Sequence, residues 1–335
     1  MVDVNATVSG ILMCCDDSVL GINFGKDYQI KKIYFDDLPF KDRITNGQGM
    51  LTVDYFSSRL YDSEKVYFMC IEKEATFQIA GLQLDPQKRV YTDRDFDCQD
   101  QIQPWKESEN KFLYEMIALL HLFKSGNVGF RDVFYHFEYN TGIMNNKVNN
   151  KNHQETRNVL DERKFSLTED EVSSCNHFLA EYSGKAFELM RPCIDEFAWG
   201  LEQIDPPTGF EQYTTALEMT LLKRDQQGKK QSLAKRVAVM VGASDADIQR
   251  SHQQMLNFYR FRSESLHEGD GNSISDVELR ELEEIVREVL RKCLQRCKSE
   301  LSTNANVTWN EIKAKIIDDL KNQVTILKTR GVLPH

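Results

Sequence analysis

The sequence predicts an α+β fold: a β-rich domain at the amino end followed by an all-α helical bundle. Three observations carry that expectation. Short β-branched and aromatic runs crowd the first hundred residues, an Asn-rich polar stretch lies near residue 150, and helix-start signatures precede long amphipathic runs beyond residue 165. With 335 residues, 41% hydrophobic and 28% charged, the chain has the composition of a folded globular protein, and its length suits about two domains.

In chain order, VLGINF, YQIKKIYF, LTVDYF, KVYFMCIE and ATFQIAGLQL read as strands separated by Asp, Asn, Gly and Pro. Residues 108–124 carry apolar side chains at helical spacing and stop at Ser125-Gly126-Asn127, a C-terminal cap signal. These elements form an expected first domain of residues 1–140. Residues 141–164 are Asn-rich with few apolar side chains and read as a linker, with the helical domain following over 165–335. There, Thr168 with Glu171, Ser275 with Glu278 and Thr308 with Glu311 fit the capping box, in which hydroxyl and carboxylate satisfy orphan backbone donors reciprocally. Further helices are expected over 210–224, 231–242, 245–267 and 309–328. From Asp276 to Lys298, Leu279, Leu282, Val286, Val289, Leu290, Cys293 and Cys297 share one stripe.

A formal net charge of -10 argues against a protein that coats nucleic acid through its whole surface, since that rests on neutralising phosphates, but leaves room for a local basic site. No stretch approaches the apolar length of a membrane span, and the start MVDVNATVSGILMCCDD lacks a basic leader region, so a soluble, cytoplasmic protein is expected. The eight Cys form no disulfide framework and read as reduced thiols.

Several catalytic signatures fail on inspection. Gly21 to Asp27 is too short for a P-loop and has Asp where a magnesium-binding hydroxyl belongs, so it reads as a turn. Asp93, Asp95 and Asp97 have calcium-loop spacing, but Cys98 replaces the turn glycine. His136-Phe-Glu138 with Pro192-Cys193 lacks the second cysteine of a zinc deaminase, because Glu196 stands there. Cys293 and Cys297 fit small core residues better than zinc ligands. No cofactor or metal is implied.

Arg262 and His267 remain, in NFYRFRSESLHEGDG near the end of an expected helix. Five residues of helix correspond to a rise of about 7.5 Å and a rotation of about 140°, so the two side chains do not stack. They can still converge, because Arg is long and Gly269 lets the helix end just after His267. The pair supplies a permanent bidentate cation and a group titrating near neutrality. Metal-free RNA cleavage requires those two functions, one holding the phosphorane charge and one moving the 2′-OH proton.

Arg262-Ser-Glu-Ser-Leu-His267 has the spacing of the R-x4-6-H motif of HEPN domains. With ALEMTLL, SLAKRVAVMVG and a closing amphipathic helix around it, the segment of about residues 165–300 resembles the Apea-like HEPN family of antiviral and abortive-infection proteins. That resemblance implies a helical domain that forms a homodimer, bringing two motifs to one cleft of a metal-independent endoribonuclease. It assigns Arg262 to the phosphate charge and His267 to proton transfer or phosphate holding. Ser263, Glu264 and Glu218 stand as supporting residues.

Independently of the resemblance, nine basic and three acidic residues lie between Thr220 and Arg262, a balance of +6, whereas residues 1–110 balance at -7. Lys235, Arg236 and Arg260 are expected to contact RNA, with Tyr259 and Phe258 as stacking candidates. The leading expectation is therefore an RNA-cleaving effector gated by its first domain, which would sense a phage-derived or host trigger. A non-catalytic HEPN module binding RNA, a nucleotide or a protein partner is the alternative, and a structural helical dimer is a third.

Overall fold

The computed structural model describes residues 2–45, 50–51, 59–62, 65–79, 90–91, 99–130, 132–139, 142–149, 163–203, 205–224, 226–268 and 274–334. For residues 2–3, 43, 77, 79, 90–91, 99–101, 138–139, 142–149 and 262–268 it describes the backbone alone. An amino-terminal sheet is followed by an all-helical region, the α+β arrangement expected from the sequence. Two compact units divide the chain: unit 1 holds residues 1–120 and 124–181, unit 2 residues 121–123 and 182–335.

Unit 1 is built on a sheet of β1 (Val2–Leu12), β2 (Gln29–Tyr34), β3 (Leu60–Asp62), β4 (Lys65–Ile79), β5 (Val90–Tyr91), β6 (Asp132–Tyr139) and β7 (Gly142–Asn149). Its order is β2-β4-β1-β6-β7-β5, with β3 also on β4, and the pairing is antiparallel except between β5 and β7. The period-two alternation of strands sends side chains to opposite faces. On one face Ile11, Phe68, Cys70 and Phe134 join Leu38, Phe40 and Ile44, the last on the short helix α1 (Lys41–Ile44). Phe40 stacks on Phe134 with ring centroids 4.3 Å apart.

The opposite side chains of β6 meet α2 (Gln99–Phe123). Trp105 stands edge-on to Tyr135 and Phe137, and the Tyr135 hydroxyl donates to the Lys106 carbonyl at 3.0 Å. Glu109 of α2 accepts from Tyr28 and from Lys73 of β4, each at 2.7 Å. Burial beside that carboxylate drives the Tyr28 hydroxyl far above its ordinary range, so it remains a donor.

Four sequence expectations change here. VLGINF is no strand: Asp16 accepts from the Ser18 amide and caps a 3-10 turn over Asp17–Gly21. KVYFMCIE and the start of ATFQIAGLQL form one continuous strand, β4, and LTVDYF lies almost wholly outside the described residues. The segment read as a linker over 141–164 contains β7, whose backbone pairs with β6 along its length, and residues 150–162 lie outside the described residues. Finally, α2 begins at least nine residues before the expected start and contains Pro104 as its sixth described residue, where the missing N–H gives up one helical hydrogen bond. The expected stop holds: Gly126 has φ +146, and a Cβ there would sit 2.7 Å from the Cα of buried Phe165.

Helix α3 (Glu169–Tyr182) clusters with unit 1 except for its last residue. Its expected capping box is present, with the Thr168 amide donating to Glu171 and the Glu171 amide to Thr168. The helices of unit 2 are α4 (Lys185–Leu201), α5 (Pro206–Leu221), α6 (Lys229–Val241), α7 (Asp245–Glu268), α8 (Asp276–Thr303) and α9 (Trp309–Thr329). Capping boxes start α8 at Ser275 and α9 at Thr308, as their sequences predict. The predicted stripe of α8 is buried along its whole length, Cys293 and Cys297 included. The described cysteines are free thiols. Among the described helices, none is long and apolar enough to cross a membrane.

Candidate functional site

Helix α7 carries the motif. Ser244 starts it, accepting from the Asp247 amide at 3.2 Å and donating to the Asp247 carboxylate at 2.7 Å. Arg262, Ser263, Glu264 and His267 all lie on its last two described turns. Arg262 and His267 therefore have the helical separation expected of them, about 7.5 Å along the axis. The side chains of these four residues, and residues 269–273 entirely, lie outside the described structure.

The described neighbourhood begins one turn earlier. Tyr259 donates its hydroxyl to Glu218 Oε1 at 2.5 Å, and Lys229 Nζ stands 3.9 Å from Glu218 Oε2. Residues three and four apart share a helix face, so the turn bearing Arg262 and Ser263 follows directly over Tyr259. Glu218 thus joins α5, α6 and the motif helix, and its side chain is 18% exposed. It is a pairing carboxylate within reach of the motif's own turn.

The aromatic and basic candidates separate into two groups. Phe258 is buried and meets Phe210 edge-on at 5.6 Å, so it belongs to the core. Tyr259 is half-buried with its hydroxyl engaged, whereas Arg260 is exposed, its guanidinium 5.4 Å from the Phe261 ring centroid. Lys223, Arg224, Lys229, Lys230 and Arg250 are also exposed.

Lys235 and Arg236, expected to contact RNA, do not stand on the open surface, being 8% and 4% exposed. Arg236 donates to the Leu221 carbonyl at 2.5 Å and to Gln226 Oε1 at 2.9 Å, while Lys313 donates to the Met219 carbonyl at 2.5 Å. These carbonyls belong to the last turn of α5, where four acceptors lack helical partners and the dipole favours cations. Arg236 is consequently a cap for α5. Its position was legible, since it falls three residues after buried Leu233 on the inward stripe of α6, but charge counting treats every Arg as surface.

A scan against protein-family models and searches of the curated proteins and of the solved structures return no match to this chain. Among the described residues, no group of three or more His, Cys, Asp or Glu is placed to hold a metal ion.

One group escaped the sequence reading. His252 is 5% exposed, and its Nε2 has no hydrogen-bond partner among the described residues. Burial, reinforced by the charge of Lys235, holds its pKa below the ordinary imidazole value. The signal was periodic: Ile248, His252, Met255 and Tyr259 recur at i, i+4, i+7 and i+11 along α7.

Proposed function

We propose that the chain is a metal-independent endoribonuclease of the HEPN type that acts in antiviral defence or abortive infection. In this reading two copies form a homodimer through unit 2 and RNA is cut at the shared cleft. The observation that carries it is the hydrogen bond between Tyr259 and Glu218, which fixes a carboxylate on α7 one turn before Arg262. Arg262 would hold the negative charge that builds on the phosphorane, and His267 would move the 2′-OH proton. Ser263 and Glu264 lie on the same two turns, and Ser263 is four residues from Tyr259, on its face. Exposed Arg260, Lys229 and Lys230 would contact the phosphate backbone. Unit 1 would gate the cleft, since unrestrained cleavage of cellular RNA is toxic.

The test is cleavage of a single-stranded RNA in EDTA. Arg262→Ala and His267→Ala should each lower the rate by about 10²- to 10⁴-fold, with the dimer intact in sedimentation. A substrate with 2′-deoxyribose at every position should survive, because its nucleophile is gone. A magnesium requirement, or equal cleavage of DNA, would sink the proposal.

A further inference from the structure

Helices α6, α7 and α9 meet around a cluster of Ala238, Ile248, Leu327, Val332 and Leu333. The short connection over 242–244 makes α6 and α7 antiparallel, so Lys235, three residues before Ala238, comes level with His252, four residues after Ile248. Lys328 adjoins Leu327 on α9. The Lys235 ammonium lies within electrostatic reach of both partners: it disfavours protonation of His252, and Lys328 in turn disfavours its own charge, after burial. Lys235 and His252 are buried, whereas Lys328 is half-buried. Asp245, at the start of α7, is tied to Arg330 at 2.5 Å.

We infer that Lys235, His252 and Lys328 form a phosphoryl-binding site in unit 2. Two lysines stand there on adjoining helices, and a buried imidazole nitrogen has no partner among the described residues. A buried polar nitrogen without a partner is unfavourable in the free protein, and an oxyanion would satisfy it while meeting the two ammonium groups. A tetrahedral phosphoryl group has enough acceptor oxygens for donors arriving from three helices, which a planar carboxylate meets less well. His252 precedes Arg262 by ten residues, about 15 Å along α7, so this group is not the scissile phosphate. The site stands without the ribonuclease reading, and the two fail separately.

Inorganic phosphate is titrated into the full chain at constant ionic strength, with chloride as the control, while the His252 side-chain resonances and the melting temperature are followed. Saturable movement of His252 with a rise in melting temperature is expected. Lys328→Gln, on a half-buried and tolerant position, should weaken phosphate at least tenfold with the fold unchanged, and His252→Asn should do likewise. Competition by a short RNA oligonucleotide assigns the phosphoryl group to a strand, while its absence assigns it to a small ligand; both support the site. A non-saturable response, an equal response to chloride, or unaltered affinity in Lys328→Gln would overturn it.

Discussion

Glu202 shows how one side chain can tie stability to pH. It closes the carbonyl end of α4, its amide donating to Ala198, and burial pushes its carboxyl up to about 8. The folded protein therefore keeps a proton that the unfolded chain loses near the ordinary glutamate value of about 4.3. Between those two values the native state binds more protons, so stability falls as pH rises from about 4.5 to about 8. Glu202→Gln removes the ionisation. Its urea midpoint should match that of the unaltered protein near pH 4.5 and exceed it by a growing margin toward pH 8. Parallel midpoints across that range would show that half-buried Glu202 does not hold the raised pKa.

At the scale of elements, cations fasten helix ends in unit 2. Arg287 on α8 donates to the His121 carbonyl at 2.6 Å and pairs with buried Glu283 at 2.5 Å, while Lys292 reaches the Met240 carbonyl at the end of α6 at 2.6 Å. Burial would lower the Arg287 pKa, but Glu283 and Glu284 reverse this and raise it. Arg287→Ala takes the guanidinium away from Glu283, which is 1% exposed, and should cost about 3–5 kcal/mol in chemical unfolding. The paired change with Glu283→Leu should recover a large part of that loss, and failure to do so would show that packing by the Arg stem dominates. The sequence made the helices legible because capping boxes and 3.6-residue stripes are local. Their starts at Thr168, Ser275 and Thr308 are where the hydroxyl–carboxylate spacing puts them. Strands were less legible. In β1, Val2, Val4, Ala6 and Val8 alternate with polar residues, the pattern of a half-buried strand. In β7, Asn-rich composition opposes strand propensity, and only pairing with β6 fixes the backbone. The candidate site was legible as residue types on one helix, but the inward turn of Lys235 and Arg236 depends on which face α6 buries, which charge alone does not encode.

Across the whole molecule, the net charge of -10 sets opposing responses to salt in any RNA complex. Long-range repulsion by the acidic surface is screened within about 8–10 Å at physiological ionic strength, so added salt eases approach. Direct phosphate contacts release counterions on binding, so added salt weakens affinity, with a slope near 0.7 per contact for single strands. Unit 2 exposes Lys223, Arg224, Lys229, Lys230, Arg250 and Arg260 between Thr220 and Arg262, and Arg250 is partly committed to Asp247 at 3.2 Å. With Arg262 included, admission at this basic segment alone bounds the slope of log affinity against log salt at about 5 per protomer. Anisotropy of a labelled RNA on the His267→Ala chain, from 50 to 300 mM salt, measures it. Arg260→Gln should weaken binding across sequences alike and reduce the slope by about 0.7. A slope well above the bound, or one untouched by Arg260→Gln, would mean that RNA lies on a different surface, and the positive balance of this segment would then have another purpose.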